Sequence, residues 1–327
     1  MAASIRIGIS GWRYEPWRGV FYPPDLAQRR ELEYASRMFP TIELNGSFYS
    51  LQRPEYFAQW HRETPDDFVF AVKGPRYITH LRRLKDIEAP LANFLASGVF
   101  ELRAKLGPIL WQFAPQMPFI AERFEAFFAR LPRDTVAAAA LAERDHDHRV
   151  DGRSSFAVDA KRPLRHAVEI RHPSFVDPAF VAMLRRHRIA LVVADTAGKW
   201  PLLEDLCADF VYLRLHGDAE LYASGYSDDA LASWARRIET WHRGGQVDDA
   251  RLAAPDTPSR AAATRKARDV YVYFDNDVKV HAPYDAATLS RQLGLASPLP
   301  PRRRSAATRP EPVVRSRMPG LPRRPRA

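Results

Sequence analysis

Apolar residues in this chain switch period repeatedly, and the switches come in a regular order. Short runs rich in β-branched and aromatic residues predict eight strands, at Ile5–Ile9, Thr41–Asn45, Phe68–Lys73, Pro108–Phe113, Ala167–Arg171, Ile189–Asp195, Phe210–His216 and Val270–Asn276. Between them, apolar positions recur at the three- and four-residue spacing of a helix face. These segments are Asp25–Met38, Pro54–Glu63, Ile87–Lys105, Ile120–Leu131, Pro178–His187, Asp228–Arg243 and Ala286–Leu293. Phe124, Phe127, Phe128 and Leu131 form one such stripe. Trp200–Cys207, after the sixth strand, has the weakest helical pattern.

Strands that alternate with helices pair in parallel, because a parallel neighbour needs a crossover of about a dozen residues or more. Eight such units predict an α/β fold, a TIM-like (β/α)8 barrel forming a single domain over residues 1–295. An open nucleotide-binding sheet is disfavoured. Its glycine-rich turn is missing, since Gly8-Ile9-Ser10-Gly11-Trp12 is too bulky and wrongly spaced. Two insertions break the rhythm, near 133–165 and 244–268. Both precede a strand, which puts them at the face opposite the usual active site of a barrel. The Asp145-His146-Asp147-His148 patch in the first is expected to be a mobile surface segment rather than a metal site.

Charge changes the picture only once it is divided. The net +10 contains nine arginines against one acid from Ala296 onward, a charge of +8, so residues 1–295 carry about +2. Residues 296–327 are Pro/Arg-rich without apolar periodicity and are expected to be a disordered tail, capable of weak nonspecific nucleic-acid contact. A single cysteine, Cys207, leaves no internal disulfide framework and fits a reducing compartment. The start, Met1 to Trp12, lacks the apolar stretch of a signal peptide, and no run reaches the roughly 18 apolar residues of a membrane span. A cytoplasmic protein without membrane contact is expected. The sequence does not specify an oligomeric state.

The strand ends carry the chemistry. Alternation puts residues two apart on one face, so Glu43 with Asn45, Glu169 with Arg171, and Arg214 with His216 pair up. The intervening Leu44, Ile170 and Leu215 suit the apolar layer outside the barrel, so the polar pairs point inward. Unpaired charges there cost several kcal/mol, so these residues neutralise one another or meet a ligand. Lys73, Gln112, His172, Asp195, Asp275 and Asn276 also stand at strand ends, and the aromatic first loop adds Trp12 and Tyr14, with Tyr49 nearby. Such a mouth suits an enzyme acting on a small polar substrate, anionic or sugar-containing, by acid–base chemistry. Glu43, Glu169 and His216 are the proton-transfer candidates. Lys73, Arg171 and Arg214 hold negative charge, and the remaining residues orient the ligand. No cofactor or metal is called for. Two alternatives stay open: a nucleotide- or nucleic-acid-binding module without catalysis, and a metal-dependent phosphoesterase-like enzyme using Glu43, Glu169, Asp195 and His216.

These segments resemble the YecE-like family, the domain of unknown function 72. The resemblance runs in order through Gly11-Trp12-Arg13-Tyr14, Phe21-Tyr22-Pro23, Glu43-Leu44-Asn45 and Lys73-Gly74-Pro75-Arg76. It continues through Gly107 to Phe113, Glu169-Ile170-Arg171-His172-Pro173-Ser174, Tyr212 to Gly217 and Tyr273-Phe274-Asp275-Asn276. It implies a TIM-barrel-like fold and no particular reaction. Phe175 stands where that family commonly has tryptophan, Ala114 where it has a double proline with Pro115, and Asp275 where asparagine is frequent.

Overall fold

The computed structural model describes residues 3–255 and 266–299. The expectation of a disordered tail therefore lies almost wholly outside the described residues, as does the centre of the second insertion. Eight parallel strands close in sequence order into one barrel. They are β1 (Ile5–Ser10), β2 (Thr41–Leu44), β3 (Val69–Lys73), β4 (Leu106–Gln112), β5 (His166–Glu169), β6 (Ala190–Asp195), β7 (Phe210–Leu215) and β8 (Asp269–Phe274). Each coincides with a run predicted from the sequence. β1 pairs with both β2 and β8, which closes the ring.

Alternation sorts each strand into two layers. Side chains such as Ile9, Leu44, Val72 and Phe274 face outward into a continuous apolar layer beneath the helices. A smaller cluster, including Ala71, Leu110, Ala167, Val192, Tyr212 and Tyr273, fills the barrel interior. The two tyrosine rings pack with centroids 5.1 Å apart, and the Tyr273 hydroxyl lies 2.8 Å from Thr41 Oγ1. Gly8 makes room for this filling. A Cβ on it would stand 1.9 Å from the Thr41 carbonyl oxygen.

The helices are α1 (Glu31–Met38), α2 (Gly46–Tyr49), α3 (Pro54–Glu63), α4 (Glu88–Ala96), α5 (Ala121–Arg130), α6 (Thr135–Asp145), α7 (Pro178–Arg186), α8 (Asp228–His242) and α9 (Ala282–Gln292). Phe124, Phe127 and Phe128 of α5 are buried as their spacing predicted. Phe175, the tryptophan position of the resemblance, sits in this aromatic layer with its ring 4.8 Å from that of Phe180.

Three expectations need correction. The helix expected over Ile87–Lys105 is divided: α4 stops at Ala96, Gly98 takes a left-handed conformation (φ 101°), and a 3-10 segment follows. The Asp145–His148 patch is docked, not mobile. Asp147 exchanges two 2.9 Å hydrogen bonds with Asn93 of α4 and accepts from Arg149 N at 3.0 Å. Trp200–Cys207 forms no helix. Glu204 instead binds the 246–254 segment, accepting from Arg251 N at 2.8 Å, and Asp205 accepts from Ala253 N at 2.8 Å. The start of the second insertion thus provides the hydrogen-bond partners that a helix would have supplied internally. Among the described residues no helix is long and apolar enough to cross a membrane.

Replacing Gly8 by alanine is expected to destabilise the chain by about 1–3 kcal/mol, because backbone rather than a flexible side chain must move. A lowered urea midpoint with an unchanged slope would report it.

Candidate functional site at the barrel mouth

Above the tyrosine layer the inward positions become polar on seven strands: Ser10, Glu43, Lys73, Gln112, Glu169, Arg214 and, just past β8, Asp275. β6 offers only Ala194, since its inward set is Ala190, Val192 and Ala194. The strands close around Arg214. Its guanidinium donates to Glu43 Oε1 at 2.9 Å, Glu169 Oε2 at 2.7 Å and Asp275 Oδ2 at 2.7 Å. Arg214, Glu43 and Glu169 are buried to within 1% of completely.

The remaining lone pairs are largely used. Glu43 accepts from Ser10 Oγ at 2.7 Å and from the Tyr212 hydroxyl at 2.6 Å. Glu169 Oε1 accepts from Gln112 at 2.8 Å and Arg171 Nε at 3.0 Å. Burial alone would raise the Glu169 carboxyl, but the charges of Arg214 and Arg171 hold it well below the usual range. Glu43 and Glu169, expected as proton carriers, are thereby bound as counterions of Arg214. His216 lies between Arg214 and Asp275, its Nδ1 3.0 Å from Asp275 Oδ2.

Two groups depart from this balance. Lys73 Nζ sits 4.4 Å from the centroid of the Phe48 ring. Among the described residues it has no carboxylate at ion-pair distance. Burial, then the charge of Arg214, pushes its amine down to about 8. Asp277, two residues beyond Asp275, is pushed well above the usual carboxyl range by burial and by the Asp275 charge. Arg214 and His216 hold Asp275 itself low against the opposing effect of burial. One member of the acid pair is therefore ionised and the other keeps its proton. Tyr14 donates to the Ser10 carbonyl and belongs to the same wall, near Asp277.

The rim is aromatic and cationic. Arg171 stacks 3.9 Å over Trp200 and donates to the Tyr222 hydroxyl at 3.2 Å. Arg76 lies 5.4 Å from the centroid of the exposed Tyr49 ring. His80 is pushed down to about 4 by burial and then by Arg171 and Lys73, so it is neutral near pH 7.

Of the residues expected at the site, Glu43, Asn45, Lys73, Gln112, Glu169, Arg171, Arg214, His216 and Asp275 converge, with Tyr14 and Tyr49 beside them. Four do not. Trp12 packs in the outer apolar layer against Trp60, centroids 5.5 Å apart. Asp195 follows the inward-facing Ala194, so it points off the barrel axis and accepts from Tyr226 at 3.0 Å. Asn276 is likewise out of phase and donates to Asp285 and the Ser224 carbonyl. His172 caps the short turn Pro173–Phe175, accepting from Ser174 N at 3.2 Å. With Asp195 elsewhere and the carboxylates bound to arginine, the metal-ligand set expected for a phosphoesterase does not assemble. Among the described residues no group of three or more His, Cys, Asp or Glu is arranged for a metal.

Sequence reasoning missed Ser10, Tyr212, Tyr222 and Asp277. Tyr212 and Asp277 were within its reach, because each lies one alternation step from a residue already chosen, Arg214 and Asp275. Tyr222 reaches the mouth from a loop, which no period announces.

Known proteins share this architecture. A family model described as protein of unknown function DUF72 matches residues 6–310. UPF0759 protein YunF of Bacillus subtilis is 34% identical over 116 residues, 34% of this chain and 40% of the relative. UPF0759 protein YecE of Escherichia coli is 28% identical over 183 residues, 50% of this chain and 64% of the relative. The chain thus spans less than two thirds of the length of either relative. The crystal structure of a DUF72 family protein from Thermotoga maritima superposes with a TM-score of 0.63 at 24% identity, covering 89% of this chain and 99% of that one. One from Enterococcus faecalis gives 0.63 at 17% identity, covering 91% and 99%. At these identities the likeness is one of fold.

Arg214→Met is expected to cost about 3–5 kcal/mol at pH 7, because two buried carboxylates and the partly buried Asp275 lose their shared counterion. The loss should shrink toward pH 4 as carboxyls protonate, measured by urea unfolding at both pH values. Lys73→Met should do the opposite and stabilise the chain at pH 7 by about 1–3 kcal/mol. Between pH 8 and the ordinary lysine value of 10.5 the unfolded chain binds the Lys73 proton and the folded one does not. Wild-type stability therefore rises with pH in that window, and its gap to the variant should close there.

Proposed function

The chain belongs to the DUF72 family, and from that premise we propose that it is an enzyme that moves protons on a small, polar, anionic molecule held at the barrel mouth. The observation that carries this reading is the pair of groups displaced toward neutrality from opposite sides. Asp277 retains its proton beside an ionised Asp275, while the Lys73 amine is lowered to about 8. A carboxyl shifted up and an amine shifted down, both beside the Arg214 cluster, are the two halves that a general acid–base couple needs. A network built only to close the barrel would gain nothing from either displacement, since both groups lower stability near pH 7.

In this reading Glu43 and Glu169 fix Arg214 and, through it, the ionised state of Asp275. His216, edge-on to Tyr222 with ring centroids 5.2 Å apart, stands beside both Arg214 and Asp275. Arg76 at the rim, with the Trp200-stacked Arg171, supplies the positive field for an anionic ligand, and Tyr49 and Trp200 offer flat apolar faces to its carbon skeleton. The nearly neutral body makes this a local recognition rather than a long-range one.

The purified chain, incubated with a small-molecule cell extract and followed by mass spectrometry, should deplete a narrow set of anionic compounds. Asp277→Asn keeps the shape and removes the acid, so depletion should slow by about 10²–10⁴-fold. No depletion by the wild-type chain, or equal depletion by the variant, would sink the reading.

A further inference from the structure

We propose that Lys73 is a nucleophilic amine that captures the carbonyl carbon of a small anionic aldehyde or ketone, forming an imine at the C-terminal end of β3. This deepens the acid–base reading and rests on it for its proton donor.

Lys105 is also buried, and it shows what a lysine with a structural task looks like here. Its Nζ donates to His61 O at 2.6 Å, Thr64 O at 2.8 Å and Thr64 Oγ1 at 3.3 Å. All three directions of the ammonium are used. Lys73 has none of this. Among the described residues its amine faces a ring and no hydrogen-bond acceptor or ion-pair partner. Burying an ammonium that way lowers stability, and structural lysines avoid it. A reactive amine needs it, because an unpaired lysine in a dry pocket loses its proton easily and exposes a lone pair.

The backbone that carries this amine is held in place. Ser47 Oγ donates to the Lys73 carbonyl at 2.6 Å, and Gly74 N donates to Leu110 O at 2.8 Å. The backbone on both sides of the side chain is therefore fixed. Lys73 is only 7% exposed, so a carbonyl that reaches it must be small. Arg76, three residues on and exposed, has no ion-pair partner among the described residues, so the β3 end carries positive charge in excess. That selects an anionic compound, with a carboxylate or a phosphate.

The step balances. The neutral Lys73 amine attacks the carbonyl carbon, the C=O π pair moves to oxygen, and a proton passes from nitrogen to that oxygen to give the carbinolamine. A general acid, the role proposed above for Asp277, then protonates the hydroxyl. The C–O bond breaks with loss of water, the nitrogen lone pair forms a protonated C=N, and the conjugate base of that acid takes the N–H proton back to leave the imine. One carbonyl and one amine give one imine and one water, with no oxidant or reductant.

The test uses the whole chain and three probes, pyruvate, dihydroxyacetone phosphate and glycolaldehyde, each with sodium cyanoborohydride to reduce an imine as it forms. The chain has seven lysines, so a peptide map reads every one. Lys73 is expected to be modified at least about ten-fold faster than the exposed Lys85, Lys161 and Lys199, at a rate that rises with pH to a plateau above about 8. Buried Lys105 should stay unmodified. Pyruvate reacting faster than glycolaldehyde identifies a carboxylate-bearing substrate, and dihydroxyacetone phosphate reacting fastest identifies a phosphate-bearing one. Modification that simply follows exposure, or a Lys73 untouched by all three probes, overturns the proposal. Capture of neutral glycolaldehyde alone overturns its anionic part. Should Asp277→Asn abolish metabolite depletion while Lys73 stays untrapped, the acid–base reading stands and imine formation falls.

Discussion

A single guanidinium at the top of the barrel interior serves as counterion to carboxylates from β2, β5 and the end of β8. Arg214, Glu43 and Glu169 are buried to within 1% of completely, so none of these charges has water to fall back on. The strands must bring them together within hydrogen-bond distance, or the barrel cannot close without stranded charge. Much of the architecture follows from this. The tyrosines below supply a dry floor and one hydroxyl, Ser10 and Gln112 occupy lone pairs that would otherwise be orphaned, and β6 offers only Ala194 at that level. The apolar layer outside the barrel supplies most of the stabilisation, while the ionic layer constrains which strand ends can face inward together.

Within that layer the charges are paired in one region and left unpaired in another. Glu169 and Asp275 are held ionised by positive neighbours. Lys73 and Asp277 are each shifted toward their neutral forms. Both displacements are costs to folding. A fold that satisfies Lys105 with three oxygens and leaves Lys73 facing a ring treats its two buried lysines differently. The contrast fits a site that trades stability for reactivity.

Legibility in the sequence followed the strength of the local period. Thr41–Leu44 and Phe210–Leu215 announce themselves because β-branched and aromatic residues alternate there, and the same alternation placed Glu43, Glu169 and Arg214 inside. It failed where it was not carried through. Asp195 and Asn276 stand at strand ends but one residue out of phase, so each turns away from the axis. Asp277 was in phase with Asp275 and was passed over because it lies beyond the last strand residue. Trp12 was misplaced for another reason, since an aromatic loop residue packs in the outer layer or lines the mouth with the same local signal.

By itself, then, the sequence determined the eight alternating units, the barrel, and which strand-end side chains share a face, because hydrophobic period is a local property of the chain. Only the tertiary structure decided which of those side chains meet. That Arg214 takes three carboxylates, that Lys73 is left without one, and that Asp277 keeps its proton beside Asp275 depend on distances between strands up to some two hundred residues apart in sequence. Coulomb interactions and burial act through space, so the charge states at the mouth become defined only once the barrel has closed.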